Sequence, residues 1–248
     1  MFYKANNTPY EDALICEANG LDILRRHIPE KLLRVVEVYS VDKKQLGITA
    51  VDSISPSDSH WKKLAEGLAI LHSKPQDFYG FRENNYIGLN PQINEKGQRW
   101  GEFFLKYRLR FQIDLISNAN RRKEFNERLD CCAQRLTQFL NESCAFPGLV
   151  HGDLWSGNVL FDNKGEVWLI DPAVYFADRE VDIAMTEMFG GFSAIFYQTY
   201  NQFMPLSNEY SVKKHIYNFY HYLNHLNLFG DSYLAGCERG MSVIESLE

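Results

Sequence analysis

The chain has 248 residues, enough for one large domain or two unequal lobes around a sizeable core. Hydrophobic residues make up 45% and charged residues 23%, ordinary globular usage, and the net charge of −6 excludes the basic excess of a typical nucleic-acid binder. The five cysteines (Cys16, Cys131, Cys132, Cys144, Cys237) are odd in number and lack metal-ligand spacing, so reduced thiols are expected rather than a disulfide scaffold or a zinc site. The first ten residues contain no apolar signal core and no apolar run reaches about 18 residues, so a soluble, cytoplasmic protein is expected, with no membrane or nucleic-acid partner.

In chain order, Phe2–Asn6 reads as a short strand. Thr8-Pro9-Tyr10-Glu11 has the pattern of a capping box and predicts a helix from Pro9 to about Arg26, with Ala13, Leu14, Ala18, Leu21 and Leu24 on one face. Leu32–Tyr39, rich in β-branched residues, predicts one strand, and a turn over 42–45 leads to a returning strand, Leu46–Val51. Ser53–Ser59, with Pro56 and several Ser and Asp residues, reads as a linker. The remainder is mainly helical. Helices are expected over His60–His72, Trp100–Ser117 and Arg121–Leu140, and again from Asp178 to the C-terminus. Gln76–Gln98 reads as a long ordered loop, and Leu149–Asp162 with Glu166–Asp171 as a strand–loop–strand unit. The fold class expected is α+β. A small lobe over 1–52 (strand, helix, two-stranded hairpin) is followed by a helical lobe over 53–248.

The most informative stretch is His151-Gly152-Asp153-Leu154-Trp155-Ser156-Gly157-Asn158, followed by an apolar strand, Val167–Ile170, that ends in Asp171. It parallels the H-R-D-L-x-x-x-N loop and later metal-binding Asp of protein kinases. The spacing has a chemical reason. Asp153 on a loop can reach an acceptor hydroxyl as catalytic base. Asn158, five residues on, can turn an amide oxygen back to a magnesium ion, and the strand delivers the Asp171 carboxylate to the same cation. His151 is expected to pack beneath the loop as a structural residue, and Asp182 to hold the loop's backbone amides. Near the N-terminus, Lys4 lies in a strand and Glu17 in the next helix. Kinases use such a pair to aim an ammonium at the ATP phosphates.

These motifs, with Val150–Val159 (VHGDLWSGNV), Ile170–Tyr175 (IDPAVY), Asp178–Gly191 (DREVDIAMTEMFGG), Tyr222–Gly230 (YLNHLNLFG), Asn84–Gly88 (NNYIG) and Trp100–Phe104 (WGEFF), resemble the fructosamine kinase or ketosamine 3-kinase family. That family is related to the aminoglycoside phosphotransferases and choline kinases. The resemblance runs from Phe2 to about Arg239. It implies a protein-kinase-like two-lobe fold and an ATP- and Mg²⁺-dependent transferase. The acceptor would be a sugar hydroxyl of a ketosamine, a glycated amine or protein lysine, so that the reaction serves protein deglycation. Carried over, the roles are Asp153 as base, Asn158 and Asp171 as metal ligands, Lys4 and Glu17 at the ATP phosphates. Trp155, His221, Asn224 and His225 lie in motif text that would face the acceptor, with helix packing the competing expectation for the two histidines.

The sequence departs from the family at its start. Lys4 is only three residues from Met1, and the strands and Gly-containing loop that cover ATP in the family have no counterpart before it. The expectations that follow are a truncated small lobe, weak ATP binding by this chain alone, and an edge strand at Phe2–Asn6, giving either a monomer or an edge-strand-paired dimer. Two alternatives remain at this point: a phosphotransferase for another hydroxylated amine of the aminoglycoside or choline type, and a catalytically impaired pseudokinase or binding protein.

Overall fold

The computed structural model describes residues 1–248. Near the N-terminus, β1 (Phe2–Ala5), β3 (Val38–Val41) and β4 (Gln45–Ile48) form an antiparallel sheet in the order β1-β4-β3, with Lys4 opposite Leu46. The turn between β3 and β4 is held by Asp42, whose Oδ1 accepts the amides of Lys44 (2.7 Å) and Gln45 (2.9 Å). β1 is an edge strand, and Phe2 and Tyr3 are exposed.

Helix α1 (Ala13–His27) buries the face read from the sequence: Ala13, Leu14, Ala18, Leu21 and Leu24. It starts later than expected. Thr8 caps no helix; its Oγ1 donates to Asn6 Oδ1 (2.8 Å) and accepts from the Tyr10 amide (3.1 Å), making a tight turn, while Glu11 pairs with Lys43. Local side-chain competition for backbone groups explains the difference.

The single strand expected over Leu32–Tyr39 is two strands in two sheets. β2 (Arg34–Val35) leaves the N-terminal sheet and runs parallel to β9 (Val167–Leu169), which pairs antiparallel with β8 (Val159–Phe161). β7 (Gly148–Val150) pairs with β10 (Tyr175–Ala177), and these two small sheets flank the motif loop on either side. The stretch Gln76–Gln98 is not simply a loop; it contains the hairpin β5 (Asn85–Ile87) and β6 (Asn90–Gln92).

The helical part comprises α2 (Asp58–His72), α3 (Trp100–Phe104), a π-helical stretch (Leu105–Arg110), α4 (Phe111–Asp114) and α5 (Ala119–Ser143). α6 (Glu180–Met188), α7 (Ala194–Phe203), α8 (Tyr210–Phe229) and α9 (Leu234–Glu245) complete it. A single core of 57 buried residues runs from Leu14 to Leu247, so apolar packing is continuous from α1 to α9. Arg108, in the π-helical stretch, is fully buried; its guanidinium lies 4.0 Å from the Tyr175 ring centroid and 4.8 Å from that of Phe103. It donates to Ile93 O (2.6 Å) and Asn94 Oδ1 (2.7 Å) and so seats the segment that follows β6. No helix is long and apolar enough to cross a membrane.

Candidate active site

β7 delivers His151-Gly152-Asp153 to the cleft, and the turn there needs a glycine. Gly152 has φ +81°, and a Cβ on it would sit 2.0 Å from Ala173 O, inside any tolerable contact. Asp182, from the first turn of α6, holds the loop from beneath. Its Oδ2 accepts the His151 amide (2.7 Å) and its Oδ1 the Gly152 amide (2.9 Å). His72 Nε2 lies 3.2 Å from Oδ2, and its Nδ1 lies 2.8 Å from the Tyr200 hydroxyl. Burial pushes the Asp182 carboxyl upward, but His72 and the backbone amides outweigh it and hold the group below the usual carboxylate range. His151 Nε2 lies 2.9 Å from Ile170 O, and burial lowers the imidazole's pKa, so this ring ties the loop to the strand segment that follows it.

Asn158 closes the loop. Its Nδ2 donates to two backbone carbonyls, Asp153 O (2.8 Å) and Asp171 O (3.4 Å), and to Asp153 Oδ2 (3.1 Å). A carbonyl can only accept, so the nitrogen end of this amide is assigned by chemistry, and Oδ1 accepts from no protein donor. Asp171 has φ +50°, the one non-glycine residue with a left-handed backbone, a conformation Asp tolerates better than most residues. Its Oδ2 lies 3.0 Å from Lys4 Nζ, and Glu17 Oε2 lies 2.8 Å from the same nitrogen. Burial disfavours the Lys4 ammonium, yet Glu17 and Asp171 together raise its pKa. Burial likewise raises Glu17, against the pull of Lys4. Helix α1, which carries Glu17, packs close to the segment after Asp171: a Cβ on Gly20 would lie 3.3 Å from the Pro172 side chain.

Asp153 is pushed up to about 7, mainly by burial, with the Asn158 hydrogen bond opposing and Asp171 and Asp182 adding to the rise. That places it where a general base is effective near neutral pH. It also borders two cavities. One, of about 440 Å³, is lined by Lys4, Glu17, Asp171 and the chain from Phe2 to Thr8. The other, of about 490 Å³, is lined by Trp155, Met185, Phe189, His225, Phe229 and Tyr233, with Asn224 and Asp153 as polar members. Its aromatic rings form a continuous chain, Trp155–Phe189–His225–Phe229–Tyr233, with centroids 5.2 to 6.3 Å apart. Trp155, Phe189 and Phe229 are all substantially exposed, which a merely structural aromatic cluster would not require.

A family profile described as Fructosamine kinase matches residues 1–246. The chain belongs to the fructosamine kinase family. Among its relatives, a "Probable ketoamine kinase" of Vibrio parahaemolyticus is 37% identical over 252 residues, covering 99% of this chain and 85% of that protein. A "Probable ketoamine kinase" of Synechocystis is 42% identical over 174 residues, 70% of this chain and 58% of that protein's length. The crystal structure of a "putative fructosamine-3-kinase" from Thermobifida fusca superposes with a TM-score of 0.86 at 26% identity, covering 98% of this chain and 84% of that one. A choline kinase from Streptococcus pneumoniae shares the fold at a TM-score of 0.62 and 16% identity, covering 98% of this chain and 85% of that one. The fold is therefore the α+β, protein-kinase-like one expected from the sequence.

For this fructosamine kinase family member, the structure brings Lys4, Glu17, Asp153 and Asp171 to one cavity, and Asp153, Trp155, Asn224 and His225 to the other. Asn158 reaches Asp153 directly. His221 lines neither cavity. It is buried, its Nδ1 has no partner, and burial pushes its pKa down to about 3. The aromatic lining from Phe189, Phe229 and Tyr233 was not read from the sequence. The one available signal was an apolar residue at each of two helix ends, Phe189 after α6 and Phe229 closing α8. No group of three or more His, Cys, Asp or Glu side chains is placed to hold a metal ion. The oxygens of Asp171 and Asn158 are hard donors that fit magnesium, a cation that commonly takes one or two protein oxygens and completes its shell from phosphates and water.

Proposed function

We propose that this protein transfers the γ-phosphoryl group of ATP to a hydroxyl of a ketosamine, with Asp153 as the base. The observation that carries the reading is the position of Asp153 on the boundary of two cavities of different chemistry. The one holding Lys4 suits phosphates; the apolar one suits the acceptor.

Lys4, kept charged by Glu17 and Asp171, aims its ammonium at the α- and β-phosphates. A magnesium ion, held by Asp171 and the Oδ1 of Asn158, would neutralise charge on the phosphates. Asp153 takes the acceptor O–H proton as the acceptor oxygen bonds to the γ-phosphorus. The bond from that phosphorus to the β,γ-bridging oxygen breaks, and its electron pair leaves with ADP. Asp182, through the His151 and Gly152 amides, keeps the base in line for this displacement.

The aromatic cavity receives the amine side of the acceptor. A ketosamine nitrogen is cationic near neutral pH, and Trp155, Phe189 and Phe229 offer ring faces for it and for an apolar carrier group. Support comes from the named activities of the relatives, ketoamine and fructosamine-3-kinase, and from the family match over nearly the whole chain. The test is mass-spectrometric detection of phosphate transfer from Mg²⁺-ATP to ribose-, erythrulose- and glucose-derived amine adducts. Phosphorylated adduct with wild type and none with Asp153→Asn is expected. Transfer to choline or an aminoglycoside, with none to any ketosamine, would overturn the reading.

A further inference from the structure

Four side-chain amides, from the β5–β6 hairpin, α4 and α8, meet beside the aromatic cavity, and their orientation can be deduced without seeing a hydrogen. Asn227 Nδ2 donates to Gln112 O (2.8 Å), a backbone carbonyl that can only accept. The same nitrogen donates to Gln112 Oε1 (2.9 Å), so the other end of the Gln112 amide is its nitrogen. That nitrogen, Nε2, donates to Asn224 at 3.2 Å, so the Asn224 atom facing it is the oxygen. Asn90 Nδ2 adds a second donor to the same oxygen at 2.9 Å. Each step is forced by the one before it, starting from a main-chain carbonyl.

The consequence falls on the other end of the Asn224 amide. Asn224 is 3% exposed, yet its Nδ2 has no partner in the protein and is not among the atoms sealed from solvent. The residue lines the apolar cavity beside Asp153. The other polar side chains on the cavity wall are the base Asp153 and His225, whose Nδ1 is already committed to His221 O at 2.8 Å. Asn224 thus presents two N–H donors and no acceptor to the cavity, in an orientation that rotation cannot reverse without breaking the relay.

We infer that Asn224 is a specificity-determining residue that donates to the C2 oxygen of the acceptor, the oxygen next to the hydroxyl that is phosphorylated. Resting on the ketosamine reading above, this assigns the amide relay to selection of a ketone. A ketone oxygen accepts and never donates, which matches the Asn224 amide end that donates and never accepts. Gln112 and Asn227 are positioning residues, acting only through the orientation they impose. A buried donor also rejects an acceptor that lacks the matching oxygen, because the donor is then left unmet.

The test pairs one variant with three acceptors, each built on the same amine and a four-carbon sugar, too short to close a ring at C2. The acceptors are the ketosamine, its borohydride-reduced C2 alcohol, and the analogue with a methylene at C2. In Asn224→Asp the relay donors still meet one oxygen, while the other presents an acceptor to the cavity. The variant is expected to lose about tenfold or more in kcat/KM on the ketone and to keep its rate on the alcohol, whose O–H can donate to the carboxylate. The ketone-to-alcohol ratio should therefore fall by at least about tenfold, a change that general loosening of the helix would not produce. Wild type should turn over the methylene analogue about tenfold or more below the ketone, which tests the inference even if the variant fails to fold. An unchanged ratio in the variant, or a methylene analogue as good as the ketone, overturns the role of Asn224 and leaves the ketosamine reading standing. Failure of the folded wild type to phosphorylate any of the three acceptors overturns that reading and this inference with it.

Discussion

Asp182→Asn isolates the support beneath the base. The carboxylate takes three donors within 3.2 Å: the His151 amide and His72 Nε2 on Oδ2, and the Gly152 amide on Oδ1. An amide keeps only one acceptor oxygen. Whichever way it turns, its NH₂ faces a backbone N–H, and the residue is 1% exposed, so water cannot compensate. Leaving one buried donor unmet costs about 1–3 kcal/mol, and turning charge-assisted bonds into neutral ones adds about 1 kcal/mol. A total of about 3 kcal/mol should lower the melting temperature by about 6–12 °C in a chain of this size. The sign with pH follows from the depressed pKa of Asp182. Its stabilising contribution is present above the unfolded carboxyl value, about 4, and fades as pH falls through the folded one. The gap between wild type and variant should thus be widest at neutral pH and close in acid. Thermal melts from pH 3.5 to 8, with kcat at saturating ATP, measure both effects. A variant that melts within about 2 °C of wild type at pH 7, or keeps wild-type kcat, would refute the argument that Asp182 holds the loop.

Asp153→Asn should abolish transfer and yet stabilise the fold at high pH. The folded carboxyl is raised to about 7, so ionising it in the native state costs free energy that the unfolded chain does not meet. Wild type therefore loses stability as pH rises from about 4 to about 7, and the variant does not. Melts at pH 5 and 8 should show the variant gaining on wild type at the higher value, and the kcat/KM of wild type should rise through pH 7 as the base ionises. Gly152→Ala forces a Cβ to 2.0 Å from a backbone oxygen at φ +81°; circular dichroism and turnover should show an unfolded or inactive protein, and wild-type activity would contradict the geometry. Phe229→Ala removes an exposed ring from the cavity mouth and should raise KM for apolar ketosamines about tenfold, with little change in melting temperature.

The motif loop was legible because its chemistry is local: Asp153, Asn158 and the strand to Asp171 lie within nineteen residues, and covalent spacing alone nearly brings them together. The Lys4–Glu17 pair was legible because a strand followed by a helix limits where their side chains can meet. Asp182 accepts two amides of the loop, and its partner His72, 110 residues away, carried no pattern that pointed there. The split of Leu32–Tyr39 was invisible for the same reason: β-branched content says strand, while the choice of sheet is made by β9, more than 130 residues on. The amide relay joins Asn90, Gln112, Asn224 and Asn227, four ordinary polar residues whose meaning exists only after α4, α8 and the β5–β6 hairpin have packed.

The hairpin and the motif loop respond differently to acid. Gly88, at the hairpin turn, borders both cavities; one exposed carboxylate, Asp12, accepts from Tyr86, while the buried polar side chains that secure the hairpin are amides, the Tyr220 hydroxyl on Gln92 and the guanidinium of Arg108. None of these buried groups changes charge below about pH 9. The motif loop rests instead on the Asp182 carboxylate, which accepts the His151 and Gly152 amides. As pH falls below the usual carboxylate range and Asp182 takes up its proton, the hairpin therefore keeps its seat while the motif loop loosens, and acid unfolding should begin as a local slackening around Asp153 before the chain as a whole lets go.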